Sequence, residues 1–143
     1  MAPPPPGIYA PVPTFFLPSA SQPLDLSAQS SHALHLANSQ ITGLVLLGSM
    51  GEAVHLTNPE RATVVRHVRQ SLEHAGYKDY PLIAGTATQN VEDTVVQLTE
   101  AQEAGAQWGL VLAPGYFAAS VTQDGIEAWY RAVADKSPLP IMV

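Results

Sequence analysis

Residues 41–60 read ITGLVLLGSMGEAVHLTNPE, and the fold class turns on them. Ile41 to Leu47 is too continuously apolar to keep one wet face, the pattern of a strand in a parallel sheet covered on both sides. Thr57-Asn58-Pro59-Glu60 then predicts a helix start. Thr57 can cap, Pro59 suits the first turn, and Glu60 completes a capping box. Val64, Val65, Val68 and Leu72 follow at helical spacing, and Gly76 can close the helix in the left-handed conformation. Between strand and helix lies Gly48-Ser49-Met50-Gly51-Glu52, two glycines around a hydroxyl.

The same cycle recurs on both sides of this stretch. Upstream, Gly7 to Phe16 reads as a strand interrupted by Pro11 and Pro13. Leu26 to Ala37 reads as a helix, with Leu34 and Ala37, and Ala33 and Leu36, on neighbouring ridges. Downstream, Pro81 to Gly85 is a short strand, and Asn90 caps a helix with Glu92 and Asp93 in its first turn, favourable to the helix dipole. Val91, Val95 and Leu98 are expected on its buried face, and Gly105 at its end. Trp108 to Ala113 is the fourth strand. Thr122 or Asp124 opens a fourth helix carrying Ile126, Trp129, Tyr130 and Val133, and Pro140 to Val143 begins a fifth strand.

Four consecutive strand–helix units with short connections predict an α/β fold with a parallel sheet. Two architectures compete, an open doubly wound sheet and a (β/α)8 barrel. A barrel takes about 250 residues, so a length of 143 favours the open sheet. Against that, Ile141, Met142 and Val143 would end the chain on a bare apolar edge, as if a longer barrel continued beyond them.

Composition narrows the function classes. Twelve acidic residues against 6 basic ones give a formal charge of −6, which argues against a nucleic-acid or anionic-membrane surface. No cysteine occurs, which excludes disulfides, thiolate zinc sites and a cysteine nucleophile. No apolar run approaches the roughly 18 residues of a membrane span. Eight of the 13 prolines fall in the first 23 residues. Residues 1–6 are expected to be a disordered Pro-rich tail, solvated or acting as a PxxP ligand, with residues 7–143 forming the folded part. Met-Ala-Pro-Pro-Pro-Pro has neither the basic start of a secretory signal nor the arginines of a transit peptide, so a soluble, cytoplasmic protein is expected.

In either architecture ligands sit at the carboxyl ends of the strands. The Gly48–Glu52 loop can bring backbone N–H groups close to an anionic oxygen, or it can be a tight turn. It is neither a P-loop nor GxGxxG, and it lacks the GxSxG frame. Tyr116 beside Phe117 reads equally as a proton-transfer phenol or as an aromatic plug. Glu52-Ala-Val-His55, and His32 with His35, have metal-like spacing, but ordinary surface or partly buried histidines are the simpler reading. Lys78 and Lys136 are the only lysines, and both follow helices, at the opposite, amino-terminal end of the sheet. Any lysine chemistry at the carboxyl ends must come from other sequence.

Pro-x-Pro-Thr-Phe-Phe ending at Phe16, Gly48-Ser-Met-Gly-Glu followed by His55-Leu-Thr, Ile83-Ala-Gly-Thr, Ala104-Gly-Ala and Pro114-Gly-Tyr116 occur in that order. Together they resemble the dihydrodipicolinate synthase and N-acetylneuraminate lyase family of pyruvate-dependent Schiff-base aldolases, from Gly7 to Val143. The resemblance implies a TIM (β/α)8 barrel of about twice this length, of which these residues would be the first four and a half units. It implies a Schiff base between a lysine on the sixth strand and pyruvate or another 2-oxo acid, with a proton-relaying tyrosine beyond the fifth strand, and no cofactor. Both residues would lie after Val143.

Carried over by position, Ser49 falls where the family has the first hydroxyl of Gly-Thr-Thr-Gly-Glu. There it would link the relay to solvent and, with Gly48 and Met50, help bind the substrate carboxylate. Tyr116 matches the loop tyrosine that completes the relay in a neighbouring subunit, implying a homodimer or, more commonly, a homotetramer. Met50 replaces the second threonine, so only its N–H can contribute. Ser49 beside a non-threonine looks like the 4-hydroxy-2-oxoglutarate and 2-keto-3-deoxy-sugar-acid aldolase branch. Dihydrodipicolinate synthase itself is the alternative within the family. A non-catalytic binding or assembly half-barrel is the alternative of another class, because these residues hold no suitably placed lysine. Ala87 stands where many members have a second glycine, and Gln40 where a glycine usually ends the first helix.

Overall fold

The computed structural model describes residues 2–143. Five strands run β1 (Tyr9–Pro11), β2 (Gly43–Leu46), β3 (Leu82–Gly85), β4 (Trp108–Leu110) and β5 (Ile141–Met142). Between them lie α1 (Leu26–Asn38), α2 (Asn58–His74), α3 (Val91–Glu103) and α4 (Gln123–Lys136), with a short 3-10 turn at Ala53–His55. Every neighbouring pair is parallel, and the sheet order is β1-β2-β3-β4-β5. An open doubly wound sheet reverses its strand order at a switch point, and a barrel does not. The uninterrupted order is that of a barrel wall, and it decides between the two architectures left open by length.

Strand register sorts the side chains into two faces. Ala10, Leu44, Leu82, Ala84, Gly109 and Ile141 share the helix-covered face, while Tyr9, Val45, Ile83, Trp108, Leu110 and Met142 share the other. Leu44, Leu46, Leu82 and Ala84 pack with Val64, Val65, Val68 and Leu72 of α2 and with Ala33 and Ala37 of α1 in the main core. A smaller cluster joins Leu98 of α3, Val111 and Val133 of α4, with Trp129 and Tyr130 against it.

The strands are shorter than the sequence predicts. β1 stops at Pro11, because Pro11 and Pro13 have no N–H for a ladder. The remainder of the expected strand turns away, with a single bridge from Phe16 to Leu24. β4 ends at Leu110 rather than Ala113. The start of α2 forms as its sequence predicts: Thr57 Oγ1 accepts from Glu60 N–H and the Glu60 carboxylate accepts from Thr57 N–H. Asn90 and Thr122 cap α3 and α4. Gly76 and Gly105 follow α2 and α3 at φ of 92° and 105°. Gln40, where a glycine would be at ease, takes φ of 63°.

Helix α3 buries Leu98 as expected, with Val91 packed partly buried beside it, but its buried face is turned to take in two polar residues. Val95 is half-buried, whereas Thr94, Gln97 and Leu98 are buried. Two arginines of α2 are also buried, Arg61 at 4% and Arg69 at 8% exposure. Arg69 donates to Gly105 O (2.9 Å) and to Gln107 Oε1 (2.8 Å), tying α2 to the turn before β4. At the amino-terminal end of the sheet, the Pro-rich stretch expected as a tail is mostly exposed but engaged. Trp108 Nε1 donates to Ala2 O (2.9 Å) and the Tyr9 hydroxyl donates to Pro5 O (2.8 Å). No helix among the described residues is long and apolar enough to cross a membrane.

Candidate active site

Three loops meet at the carboxyl ends of β2, β3 and β4. The β2–α2 loop is the most constrained. Leu47, the last residue before it, has φ of 59°, and Glu52 at its far end has φ of 50°. A leucine in the left-handed region is a strained conformation that persists only where its surroundings enforce it. Gly51 N–H donates to Gly48 O (3.0 Å) and Glu52 N–H donates to Ser49 O (3.2 Å), closing the turn. The buried Thr14 hydroxyl, from the segment after β1, donates to Gly51 O (2.6 Å).

Neighbouring backbone completes the constraint. A Cβ on Gly85, at the tip of β3, would lie 2.2 Å from Leu47 O, and one on Gly51 would lie 2.9 Å from Leu47 N. Both glycines are therefore required by close approach rather than by turn geometry. Within this frame Gly48 is buried while Ser49 and Met50 are exposed. No side-chain hydrogen bond is made by the Ser49 hydroxyl among the described residues, leaving it open to the carboxyl-end surface.

The β3–α3 loop is held from α3. Ala87 N–H donates to Gln97 Oε1 (3.0 Å), and Gln97 Nε2 donates to Asn58 Oδ1 (3.0 Å) at the start of α2. Thr86 is 1% exposed, its N–H donating to Leu110 O (3.0 Å) and its hydroxyl unpaired among the described residues. Tyr116 of the β4–α4 loop donates its N–H to Gln89 Oε1 (2.9 Å), joining the second and third loops. Its ring is 80% exposed and meets Phe117 edge-on at 4.8 Å. These two rings, with Gln89, Asn90, Pro114 and Val121, line a cleft of about 340 Å³. Ser49 and Tyr116 thus lie on the same end of the sheet, and no hydrogen bond joins them within the chain.

Arg61 was not anticipated from the sequence, although a signal was there. It stands three and four residues before Val64 and Val65, so it shares the buried face of α2. Its Nη1 donates to Ala53 O (3.1 Å) and its Nη2 to Gly85 O. Burial pulls its guanidinium down to about 10, and Glu100 opposes this, so it remains charged at neutral pH. Lys78 lies in the turn between α2 and β3, and the Lys136 ammonium is paired with Glu92 (2.9 Å) on the exposed surface. His32 packs edge-on against Phe15 (5.4 Å), and no group of three or more metal-ligating side chains occurs among the described residues.

The dihydrodipicolinate synthetase family pattern matches residues 5–143. The L-threo-3-deoxy-hexylosonate aldolase of Aspergillus niger is 41% identical over 139 residues, which are 96% of this chain and 41% of that protein. Its namesake in Hypocrea jecorina is 42% identical over 145 residues, 100% of this chain and 46% of its own length. A protein of Emericella nidulans named as a mitochondrial 4-hydroxy-2-oxoglutarate aldolase is 36% identical over 96% of this chain and 44% of its own. Among solved structures, a dihydrodipicolinate synthase family protein from Coccidioides immitis superposes with a TM-score of 0.86 at 36% identity, covering 96% of this chain and 43% of that one. A prophage member of that family from E. coli K12, solved with pyruvate, gives 0.81 at 30% identity over 95% and 43%. The chain therefore spans under half the length of the relatives it matches, and its parallel sheet of five strands is part of a (β/α)8 barrel wall. With fold, loops and relatives in agreement, the chain belongs to the dihydrodipicolinate synthetase family.

Proposed function

We propose that the protein is a Schiff-base aldolase acting on 2-oxo acids of the 4-hydroxy-2-oxoglutarate or 2-keto-3-deoxy-sugar-acid type, without a cofactor. The observation that carries the reading is the Gly48–Glu52 loop, held in a strained shape at the carboxyl end of β2 with the Ser49 hydroxyl exposed. Backbone N–H groups of Gly48, Ser49 and Met50 would hold the substrate carboxylate, and the Ser49 hydroxyl would pass protons. Neither lysine of the chain suits the chemistry, one lying in the α2–β3 turn and the other paired with Glu92. On this reading the nucleophilic lysine would have to come from outside these 143 residues. Its amine would add to the C2 carbonyl and expel water. Loss of the C4 hydroxyl proton would then cleave C3–C4, releasing an aldehyde and leaving pyruvate as the enamine, which takes a proton at C3 to become the imine that water hydrolyses.

Tyr116, exposed and unpaired through its phenol, fits a relay role in a second subunit's site, which makes the working unit a homodimer or a homotetramer. The protein is proposed to act in the cytoplasm; fluorescence of a carboxyl-terminal fusion in mitochondria would refute that. Borohydride treatment with pyruvate should add one reduced pyruvate to the intact mass of the whole protein, and no adduct would sink the aldolase reading in favour of a binding scaffold. A second reading, 4-hydroxy-tetrahydrodipicolinate synthase, is favoured by a relative of that name in Streptomyces coelicolor, 37% identical over 87% of this chain. Condensation of pyruvate with aspartate semialdehyde, compared with cleavage of 4-hydroxy-2-oxoglutarate, decides between them.

A further inference from the structure

Arg61 carries the most unusual charge in the molecule. It is 4% exposed, and no carboxylate lies within ion-pair distance of it among the described residues. A buried cation without a partner carboxylate is costly, and an apolar side chain would fill the same space more cheaply. Its two hydrogen bonds go to backbone carbonyls on either side of the β2–α2 loop, Ala53 O at the loop's exit and Gly85 O at the tip of β3. Gly85 is the residue packed against Leu47 O and Gly48 N. Arg61 also lines, with Leu47, Gln97 and Glu100, a cavity of about 10 Å³, room for about one water. The guanidinium is thus fastened behind the loop that carries Ser49.

We propose that Arg61 is a positioning residue for the reaction, bracing the Gly48–Glu52 loop in its strained shape and supplying the fixed positive charge that draws a 2-oxo acid's carboxylate to it. This rests on the aldolase reading for its ligand. Its bracing part stands on the geometry alone. Two fork nitrogens on two carbonyls fix the loop's exit relative to β3, and the half-buried Glu100 is the other charged side chain lining that cavity. Carbonyl partners solvate the guanidinium without neutralising it, and Glu100 offsets its charge without forming an ion pair with it, so part of its field persists through a low-dielectric wall. A lysine there would keep the charge and lose one of the two bonds.

The test compares Arg61→Gln and Arg61→Lys in the whole protein by borohydride trapping with pyruvate and with acetone, which forms an imine but has no carboxylate. The glutamine variant should need about tenfold more pyruvate for half-maximal trapping, with acetone trapping within about twofold of wild type, and lysine should recover most of the pyruvate effect. Equal losses for both ketones, or none for pyruvate, would overturn the electrostatic role. Hydrogen exchange reads the brace separately. The Gly51 and Glu52 amides should exchange at least about tenfold faster in Arg61→Gln while Val65 and Val68 stay protected. Unchanged loop exchange overturns the brace, and so does loss of cooperative unfolding in both variants, which would make Arg61 a residue of the fold. If wild type traps neither pyruvate nor acetone at any concentration, the aldolase reading and the electrostatic role fail together, and the exchange result still decides the brace.

Discussion

Replacing Gly85 with alanine would place a methyl carbon 2.2 Å from Leu47 O, 2.7 Å from the Leu47 carbonyl carbon and 3.1 Å from Gly48 N. A carbon–oxygen contact settles near 3.3 Å, so the strand tip and the loop must separate by about 1 Å. All three obstructing atoms are backbone, and no rotamer change can absorb the clash. The loop has little slack, because Leu47 already sits at φ of 59° and Gly51 is itself packed against Leu47. Overpacking commonly costs about 1–3 kcal/mol, and an obstruction by backbone belongs at the upper end. For a domain of this size about 3 kcal/mol lowers the melting temperature by roughly 10 °C. Gly48→Ala is the internal control, since a Cβ there meets nothing within 4 Å. It should stay within about 0.5 kcal/mol of wild type. Urea and thermal unfolding followed by Trp108 and Trp129 fluorescence measure both. A Gly85→Ala protein melting within about 2 °C of wild type would refute the close-approach argument.

Gln40→Gly should stabilise by about 0.5 kcal/mol, because relief of the left-handed φ of 63° outweighs the added freedom of the unfolded chain; a lower urea midpoint would contradict this. Thr57→Ala should cost about 1 kcal/mol at neutral pH. Hydrogen bonds from the Thr57 backbone and hydroxyl hold the Glu60 carboxyl below its usual 4.5. That contribution is present above the unfolded value and is lost as pH falls through the folded one, so the Thr57→Ala penalty should shrink in acid, and a penalty constant with pH would count against the reciprocal cap. Leu98→Ala, at a site 0% exposed between α3 and β4, should cost about 2–5 kcal/mol in denaturant unfolding, and a loss under 1 would show that the smaller core collapses around the gap. Tyr116→Phe should leave stability within about 0.5 kcal/mol and lower kcat; an unchanged kcat would remove Tyr116 from the relay.

What the sequence made legible was local or periodic. The α2 start depends on Thr57, Pro59 and Glu60 alone, and Val64, Val65, Val68 and Leu72 announce their face by spacing. The helix ends at Gly76 and Gly105 are equally local. Strand lengths were not legible, because where β1 stops depends on which N–H groups find β2 as well as on apolar content. Buried polar residues escaped for a related reason. Nothing in the sequence marks Gln97 for burial, because its partners, Ala87 N–H and Asn58, come from other elements. Arg61 sits on an apolar helical face, yet a charge there is intelligible only once the carbonyls of Ala53 and Gly85 are seen to reach it. Ser49 and Tyr116 were placed by motif resemblance. The structure puts both at the carboxyl ends of strands and leaves both side chains exposed.

The order of strands across the sheet is also the order in which a ribosome makes them. Each strand after the first pairs with the one synthesised just before it, so native contacts can accumulate while the remainder is still being made. One tie breaks that rule. The bond from Trp108 Nε1 to Ala2 O spans 106 residues and cannot close until β4 has emerged. The leading segment therefore waits while the earlier units assemble. Pro3 to Pro6 suit it to waiting, since they offer no N–H to a growing sheet edge and keep the chain extended. Drawn across afterwards, it works as a late clasp from the segment before the first strand to the fourth, fastened once that strand is in place.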